Sequence, residues 1–363
     1  MKPYLPQKLP LASLDWRPFI RSIGQANASL ARYDGTLQGI INPDVLLSPL
    51  TTQEAVLSSK IEGTQATIEE VLEYEASPEV ETEKFADIQE ILNYRQAINE
   101  AVVELKKRPI SLNMLLNMHS ILMDSVRGHD RGRGRFRTVQ NWIGAPGTPI
   151  EKATYVPPEP QHLKEYLSSF EKYIHYDEED CLVQLAIVHA QFELIHPFID
   201  GNGRLGRILI PLFLFEKGLL SSPMFYISAY LEEHRAEYYD KLRGISERGD
   251  WQSWISFFLT AVAEQAKANS EKAKAILALY EHMKDEVAKL TRSQFSIQAL
   301  DALFDKPIFK TTDFPKRAKI PRASAMRILN ALRKNKVLVE LRPGRGRQAG
   351  ILMFRKLIKI VEK

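Results

Sequence analysis

Apolar residues recur at helical spacing along most of the chain, and this pattern predicts a mainly α-helical fold. In residues 83–123, for example, Ile88, Ile91 and Leu92 fall on one face of a helix. The same pattern predicts further helices at residues 19–33, 52–62, 162–173, 181–194, 204–217, 232–246 and 251–290.

Two capping boxes mark helix starts early in the chain. Thr51 with Glu54, and Thr67 with Glu70, have the spacing at which threonine and glutamate side chains bind each other's backbone N–H groups at a helix N-terminus. Gly63 lies between the two boxes, and glycine commonly ends a helix. We therefore expect one helix to end at Gly63 and the next to begin near Thr67.

Two segments depart from the helical pattern. Residues 138–156 place apolar residues on both sides of Ala-Pro-Gly-Thr-Pro, which predicts a β-hairpin. Near the C-terminus, a short helix at 310–319, a helix after Pro321 and strand-like runs at 337–341 and 351–354 predict a winged helix.

Charge and composition add a division between the two ends of the chain. From Thr291 onwards there are 18 Lys and Arg against 5 Asp and Glu, whereas the rest of the chain holds 31 against 40. A basic domain on an acidic body is expected to have a negatively charged partner. Cys181 is the single cysteine, and neither a secretory signal nor a membrane-spanning run is apparent, so a soluble cytoplasmic protein is expected.

The segment 195–207, between two predicted helices, contains the residues best suited to bind a substrate and to take part in a reaction. Gly201 and Gly203 let backbone amides approach an anion at the start of a helix. Arg204 and Arg207 add charged donors for phosphate oxygens. The loop is therefore expected to bind phosphate groups.

The same loop offers a base and a metal ligand. Asp200 supplies the carboxylate that a Mg²⁺ bridging two phosphates requires, and His196 can accept a proton near neutral pH. A base, a carboxylate and a phosphate site in one loop indicate phosphoryl or nucleotidyl transfer to a hydroxyl group.

The segment His196-Pro-Phe-x-Asp-Gly-Asn-Gly-Arg-x-x-Arg207 matches the full signature of the Fic (filamentation induced by cAMP) domain. The resemblance extends to residues 134–137, which with the hairpin and Pro157-Pro158 look like the Fic flap. It implies a helical Fic core with a β-hairpin flap, followed by a C-terminal winged-helix domain. The expected divisions are an N-terminal helical region with an inhibitory helix (1–105), a Fic catalytic domain (106–260), a helical linker (261–290) and a winged helix (291–363).

The resemblance also implies a role for each residue of the signature. His196 is expected to deprotonate a hydroxyl of the target protein, Asp200 to hold Mg²⁺, and Arg207 to bind the γ-phosphate of ATP. Gly203 stands where phosphotransferase members such as Doc have lysine, so AMP transfer is implied. The nucleotide-binding residues implied in this way are Glu62, Gly201, Asn202, Gly203, Arg204, Leu205, Gly206, Arg207, Tyr238 and Tyr239.

A second motif resembles the inhibitory helix of the family. Ser58 to Gly63 fits the pattern Ser/Thr-x-x-x-Glu-Gly/Asn, and Ser58 and Glu62 share a helix face. The resemblance implies that Glu62 neutralises Arg207 and makes ATP bind unproductively. It also implies that a target protein docks on the flap at Asn141, Trp142, Ile143 and Gly144.

Three functions remain open at this stage. The leading one is an autoinhibited adenylyltransferase that moves AMP from ATP to a Ser, Thr or Tyr hydroxyl of a target protein and of itself. The second is a deadenylylase in which Glu62 orients a water molecule. The third is a DNA-binding regulator with a vestigial Fic site, against which the intact signature argues.

The expected partners are ATP, a target protein, DNA or protein at the winged helix, and a second copy of the chain in a homodimer. No membrane partner is expected. The residues predicted to contact DNA are Arg322, Ser324, Arg327 and Arg333 on the recognition helix and Arg345 and Arg347 on the wing.

Overall fold

The structure of the chain, a computed structural model, describes residues 2–78, 83–124, 132–145, 147–344 and 349–363. It confirms the mainly α-helical fold that the sequence predicts. The α-helices in chain order are α1 (Ile20–Gln38), α2 (Pro43–Leu46), α3 (Ser48–Ile61), α4 (Ile68–Ala76), α5 (Phe85–Leu105), α6 (Leu112–Leu122), α7 (Leu163–Ile174), α8 (Cys181–Ile195), α9 (Asn202–Glu216), α10 (Ser228–Glu233), α11 (Arg235–Arg248), α12 (Trp251–Thr291), α13 (Ser296–Asp305), α14 (Phe314–Arg317), α15 (Arg322–Lys334) and α16 (Arg355–Glu362). The strands are β1 (Ile308–Lys310), β2 (Val339–Arg342) and β3 (Ile351–Met353).

Helix α8 lies at the centre of the fold. It is apolar on all sides and almost all of its residues are buried, as expected of a helix surrounded by others. Asp180 caps its N-terminus by accepting hydrogen bonds from the N–H groups of Leu182 and Val183. Its C-terminus is His196, whose left-handed backbone (φ 48°) ends the helix. The buried helix thus fixes the place of the histidine.

Helix α12 forms a long support beside α8. Its 41 residues continue without a break across residue 260, the predicted end of the catalytic domain. The helix packs along α1 and buries residues on both sides of that position, including Phe258 and Ile276. The segment predicted as a linker, 261–290, is therefore a continuation of a core helix.

Helix α3, which carries the predicted inhibitory motif, begins earlier than the sequence pattern predicts. Its first residue is Ser48, with Pro49 in the first turn, where a proline is well tolerated. Thr51 and Glu54 lie inside the helix and form no capping box. Glu54 is buried and accepts hydrogen bonds from the N–H and hydroxyl of Ser228 on α10, at 3.1 and 2.6 Å. This capping prediction was wrong because a tertiary partner takes the carboxylate.

The second capping box and the glycine stop are confirmed. The N–H of Thr67 donates to Glu70 at 2.7 Å, and the N–H of Glu70 donates to the Thr67 hydroxyl at 3.3 Å. Gly63 has a φ of +104°, which side-chain-bearing residues rarely adopt. Helix α3 therefore ends one residue before Glu62, which leaves that side chain at the helix terminus.

The flap is more irregular than the predicted hairpin. Among its described residues the ladder consists of one antiparallel bridge between Ile143 and Tyr155, with N–H···O distances of 2.8 and 3.2 Å. A short 3₁₀ turn at Ile150–Lys152 connects the two arms.

The C-terminal region contains an antiparallel sheet in the order β1-β3-β2, in which β3 pairs with both other strands. The helix predicted at 310–319 is instead the end of β1 followed by the short α14. Helices α14 and α15 then precede β2 and β3, the order that a winged helix would have. That assignment stays a prediction, and Arg345 and Arg347 lie outside the described residues.

The C-terminal region packs on helices α3 and α4. Helix α16 contacts α3, and β1 contacts α4. Arg342 of β2 forms an ion pair with Glu73 of α4 at 2.6 Å, and Lys272 of α12 donates to the carbonyl of Val361 at 3.1 Å.

In the described part of the chain, none of the helices has the length and apolar composition that crossing a bilayer demands.

Candidate active site

The loop between α8 and α9 is closed by the side chain of Asn202. Its Oδ1 accepts a hydrogen bond from the N–H of Phe198 at 2.9 Å, and its Nδ2 donates to the carbonyl of the same residue at 2.9 Å. Asn202 is buried, and both ends of its amide are used in this way. Its side chain therefore shapes the loop, and its backbone N–H belongs to the first turn of α9.

Two residues outside the signature hold the loop from the flap side. Arg137 donates from Nε to the carbonyl of His196 and from its N–H to the carbonyl of Pro197, both at 2.9 Å. Asn141 donates from Nδ2 to the carbonyl of Phe198 at 3.0 Å. The side chain of Asn141 thus joins the flap to the loop between α8 and α9.

A histidine on α6 holds the other end of the loop. Nε2 of His119 lies 3.1 Å from the carbonyl of Asp200, and its Nδ1 accepts from the N–H of Gly134 at 2.9 Å. Burial lowers the pKa of His119 to about 4, so the ring is neutral with one donor and one acceptor nitrogen. Nothing in the spacing of His119 signalled this role in the sequence.

The ring of His196 is held in one tautomer. Nδ1 lies 3.3 Å from the carbonyl of Glu193, which can only accept, so Nδ1 carries the proton. Burial lowers the pKa of His196 to about 4, which leaves the imidazole neutral near pH 7. Nε2 therefore keeps a lone pair, as a general base requires.

Helix α3, which carries the predicted inhibitory motif, reaches the first two turns of α9. Arg207, only 1% exposed, donates from Nε to the Ser58 hydroxyl at 2.8 Å and from Nη2 to the Ser58 carbonyl at 2.8 Å. The same Nη2 donates to Oε1 of Glu62 at 2.6 Å. The structure thus brings together the two residues of the predicted inhibitory motif and the arginine predicted to bind phosphate.

Glu62 also lies against the glycine face of α9. A Cβ built on Gly203 would collide with Oε1 of Glu62, so the carboxylate occupies the space that the missing side chain leaves. The N-terminus of a helix attracts negative charge through its exposed N–H groups and its dipole. Glu62 therefore stands where an anion bound to this helix would stand.

Arg204 is bound inside the protein. Its Nη1 donates to Glu90 of α5 at 2.8 Å, and its Nη2 lies 3.7 Å from Oδ1 of Asp200. Both Arg204 and Glu90 are buried. The guanidinium consequently ties the start of α9 to α5, while its expected contact with a phosphate stays a prediction.

Residues 20–103 match the Fic/DOC family N-terminal domain, and residues 109–214 match the Fic/DOC family domain. Together these segments make up more than half of the chain. The protein belongs to the Fic/DOC family.

Curated relatives carry the name protein adenylyltransferase. This Fic/DOC protein is 27% identical over 179 residues to protein adenylyltransferase fic-1 of Caenorhabditis elegans, which covers 48% of the chain and 31% of that relative. It is 28% identical over 181 residues to a probable protein adenylyltransferase of Aquifex aeolicus, which covers 48% of the chain and 51% of that relative. The chain spans about half or less of the length of these relatives.

Solved structures show that the Fic fold extends over nearly the whole chain. A Fic family protein from Desulfovibrio desulfuricans G20 matches with a TM-score of 0.60 and 20% identity, covering 97% of this chain and 98% of that one. Fic-1 from C. elegans, residues 134–508, matches with a TM-score of 0.51 and 22% identity over 72% and 71% of the two chains.

The two predicted nucleotide-site tyrosines of this Fic/DOC protein lie in different surroundings. Tyr238 is buried, and its hydroxyl lies 3.0 Å from Nε2 of His189, whose Nδ1 lies 3.2 Å from the carbonyl of Gly206. Burial lowers the pKa of His189 to about 3, so this histidine is a neutral core residue. Tyr239 is 40% exposed and lines a cavity.

That cavity has a volume of about 310 Å³ and lies between the flap and α11. The flap contributes Ile143 and Tyr155, and α11 contributes Tyr239 and Ser246. Its floor includes Glu193 from the last turn of α8. A mostly apolar cavity with a few polar groups is typical of a small-molecule site.

The two residues between Arg204 and Arg207 serve the packing of α9. Leu205 is fully buried in the core, and Gly206 lies against the side chain of Glu193. Neither presents a side chain to the loop. If they contact the nucleotide as predicted, they do so through their backbone and not through side chains.

Asp200 fits the metal-binding role in its chemistry. Its Oδ1 accepts from the N–H of Gly201 at 2.6 Å, and its side chain is 31% exposed. Among the described residues no group of three or more His, Cys, Asp or Glu side chains could hold a metal ion. A Mg²⁺ here would therefore take most of its ligands from phosphates and water, which is how Mg²⁺ usually binds with a nucleotide.

Proposed function

We propose that this protein is an adenylyltransferase that moves AMP from ATP to a hydroxyl group of a protein and is restrained by Glu62. The single observation that carries the proposal is the state of His196, whose neutral imidazole has its lone pair on Nε2 and lies close enough to Glu62 and Asp200 to be influenced by their charges. The names of its relatives support the same activity.

In this reaction the target hydroxyl oxygen attacks the α-phosphorus of ATP. The bond from this phosphorus to the oxygen that bridges to the β-phosphate breaks, and pyrophosphate leaves. Nε2 of His196 takes the proton of the hydroxyl as the new bond forms. The N–H groups at the start of α9 stabilise the charge on the phosphates, and Mg²⁺ held by Asp200 would add positive charge there.

The direct test is incubation of the protein with ATP labelled at the α-phosphate and Mg²⁺, with candidate target proteins, followed by mass spectrometry. We expect an increase in peptide mass corresponding to one AMP on a hydroxyl side chain. ATP labelled at the γ-phosphate should leave no label on protein. Transfer of the γ-label would instead indicate a phosphotransferase. Incubating the modified target with fresh protein tests the deadenylylase alternative, which predicts release of AMP.

Replacing Asp200 with alanine should weaken ATP binding in Mg²⁺ much more than binding in EDTA. Asp200 borders the anion site, whereas its contacts with Gly201 and Arg204 are local. Loss of a charged contact of this kind typically costs about 1.5–3 kcal/mol. Calorimetric titrations with and without Mg²⁺ measure the difference. Equal losses in both would show that Asp200 serves only the shape of the loop.

We further propose that a target segment pairs with the outer edge of the flap. Ile143 exchanges hydrogen bonds with Tyr155, so by the alternation of a strand the neighbouring residues Trp142 and Gly144 direct their N–H groups outwards. Trp142 and Ile143 are both 43% exposed. An added strand aligns a hydroxyl by backbone contacts without requiring a long sequence motif.

Replacing Trp142 with proline should therefore reduce transfer to a protein target by about tenfold or more while ATP binding is retained. Proline removes an outward N–H from the edge. Trp142→Ala is the matched control, because it removes the indole and keeps the N–H. If both variants lose activity equally, the side chain and not backbone pairing accounts for docking.

The basic C-terminal domain is proposed to bind DNA through α15. Arg322 and Arg327 are exposed on this helix, whereas Ser324 is half-buried and Arg333 pairs with Glu340 at 3.2 Å. Binding to mixed-sequence duplex DNA should weaken steeply as salt rises, because each phosphate contact releases counterions. An Arg322→Glu/Arg327→Glu variant should lower both the affinity and the salt dependence. No binding by wild type at low salt would exclude DNA as the partner.

A further inference from the structure

Glu193 is a half-buried residue whose carboxyl group has no role in the reaction described above. It lies one turn before His196 at the end of α8. Its Oε1 is inaccessible to solvent and has no hydrogen-bond partner within the described part of the chain. Burial raises the pKa of Glu193 to about 8, so the group is mostly uncharged near pH 7. Buried polar atoms normally have partners, and an exception calls for an explanation.

The position of Glu193 depends on Gly206 of α9. A Cβ built on Gly206 would collide with Oε1 of Glu193, so α9 can lie this close only because residue 206 has no side chain. Gly203, one turn earlier, makes room for Glu62 in the same way. The two glycines thus open one face of α9, and a carboxyl group reaches each of them.

Glu193 also borders the cavity between the flap and α11. It lines the cavity floor together with Tyr239 of α11 and Ile143 of the flap. The residue therefore stands between two regions of different character. On one side are the anion-attracting start of α9 and Arg207, and on the other is the mostly apolar cavity of about 310 Å³.

A nucleotide that spans these regions has only one part that can reach Glu193. With its phosphates at the start of α9 and its base in the cavity, the sugar that joins them lies at the boundary. Carboxyl groups are common partners of ribose hydroxyls in nucleotide-binding proteins. A hydroxyl at this point would supply the partner that Oε1 lacks.

We propose that Glu193 recognises the ribose hydroxyls of the nucleotide and so selects ribonucleotides over deoxyribonucleotides. This inference rests on the proposed function, since it takes the substrate to be a nucleotide. Glu193 is a specificity-determining residue and not a base, because the proton of the target hydroxyl goes to His196.

The test measures affinity rather than turnover. Dissociation constants for ATP, 2′-deoxy-ATP, 3′-deoxy-ATP and GTP are determined by calorimetry in the full-length Glu62→Gly protein, where the anion site is open. We expect ATP to bind about tenfold more tightly than at least one deoxy analogue, as the loss of one hydrogen bond implies. Adding Glu193→Leu should abolish this preference, whereas Glu193→Gln, which keeps an acceptor oxygen, should retain most of it.

The ratio of ATP to GTP affinity provides the internal control. It reports on the base in the cavity and should be the same with glutamate or leucine at residue 193, whereas a general distortion of the site would change both ratios. Glu193→Ala replaces the leucine variant if that variant does not melt cooperatively. A deoxy preference that survives the loss of the carboxyl group, or is absent from the Glu62→Gly protein, would overturn the inference. Failure of that protein to bind any nucleotide would count against the proposed function itself.

Discussion

Replacing Glu62 with glycine should raise the rate of AMP transfer, including self-modification, by roughly ten- to a thousandfold. In the structure the Glu62 carboxylate binds Nη2 of Arg207 at 2.6 Å and fills the space over Gly203. An incoming triphosphate would lose the arginine contact and meet a negative charge at the same place. Removing the carboxylate relieves both effects.

The size of the effect follows from the hydrogen bonds that become available. A charge-assisted hydrogen bond contributes about 1.5–3 kcal/mol, and each ~1.4 kcal/mol changes a rate by a factor of ten. Arg207 is fixed from the other side by the hydroxyl and carbonyl of Ser58, so it should stay in place when Glu62 is removed. The N–H of Nη2 that Glu62 had accepted from is then available to a γ-phosphate.

Two further variants separate charge from helix structure. Glu62→Gln keeps the length of the side chain and removes the charge, so we expect part of the activation from this variant. Arg207→Ala should not activate, because the phosphate loses its ligand together with the brake. The measurement is incorporation of α-labelled AMP by each variant, with Glu62→Gly/His196→Ala as the background. Equal rates for wild type and Glu62→Gly would show that Ser58 and Glu62 are an ordinary helix face.

The parts of the site that the sequence predicts well are those whose partners lie close along the chain. The residues from His196 to Arg207 are contiguous in the sequence, so the spacing of their glycines and arginines is visible without a structure. Gly63 ends α3 because of its own backbone freedom, with φ at +104°. Thr67 and Glu70 cap α4 through contacts three residues apart.

The contacts of the site that the sequence does not predict join residues that lie far apart along the chain. Glu90 pairs with Arg204 across 114 positions of the chain, and Arg137 holds the carbonyl of His196 across 59. No local periodicity encodes such distances. The error at Thr51 and Glu54 has the same origin, since Ser228 on α10 takes the carboxylate that a capping box would use. In the sequence Glu193 is a polar residue of a mostly apolar helix, and only the fold shows that it lies beside Gly206.

Replacing His196 with alanine should lower AMP transfer by about 10²- to 10⁴-fold, the usual range for loss of a general base. ATP binding should change little, because the start of α9 and Arg207 do not involve the imidazole. The left-handed backbone at His196 (φ 48°) is less favourable for alanine than for asparagine. His196→Asn is therefore the matched variant, since it suits the backbone and supplies no base. Thermal melting of both variants shows whether stability contributes to the loss.

The pH dependence offers an independent check on the same histidine. Burial lowers the pKa of His196 to about 4, so the base is deprotonated throughout the range above this value and is lost as the pH falls through it. For the Glu62→Gly protein, kcat/KM should therefore stay level from neutral pH down to about pH 5 and decline below that. An ordinary exposed histidine would produce the decline near pH 6.5. A decline at that higher pH, or a His196→Asn variant as fast as its parent, would show that His196 does not act as a buried, neutral base.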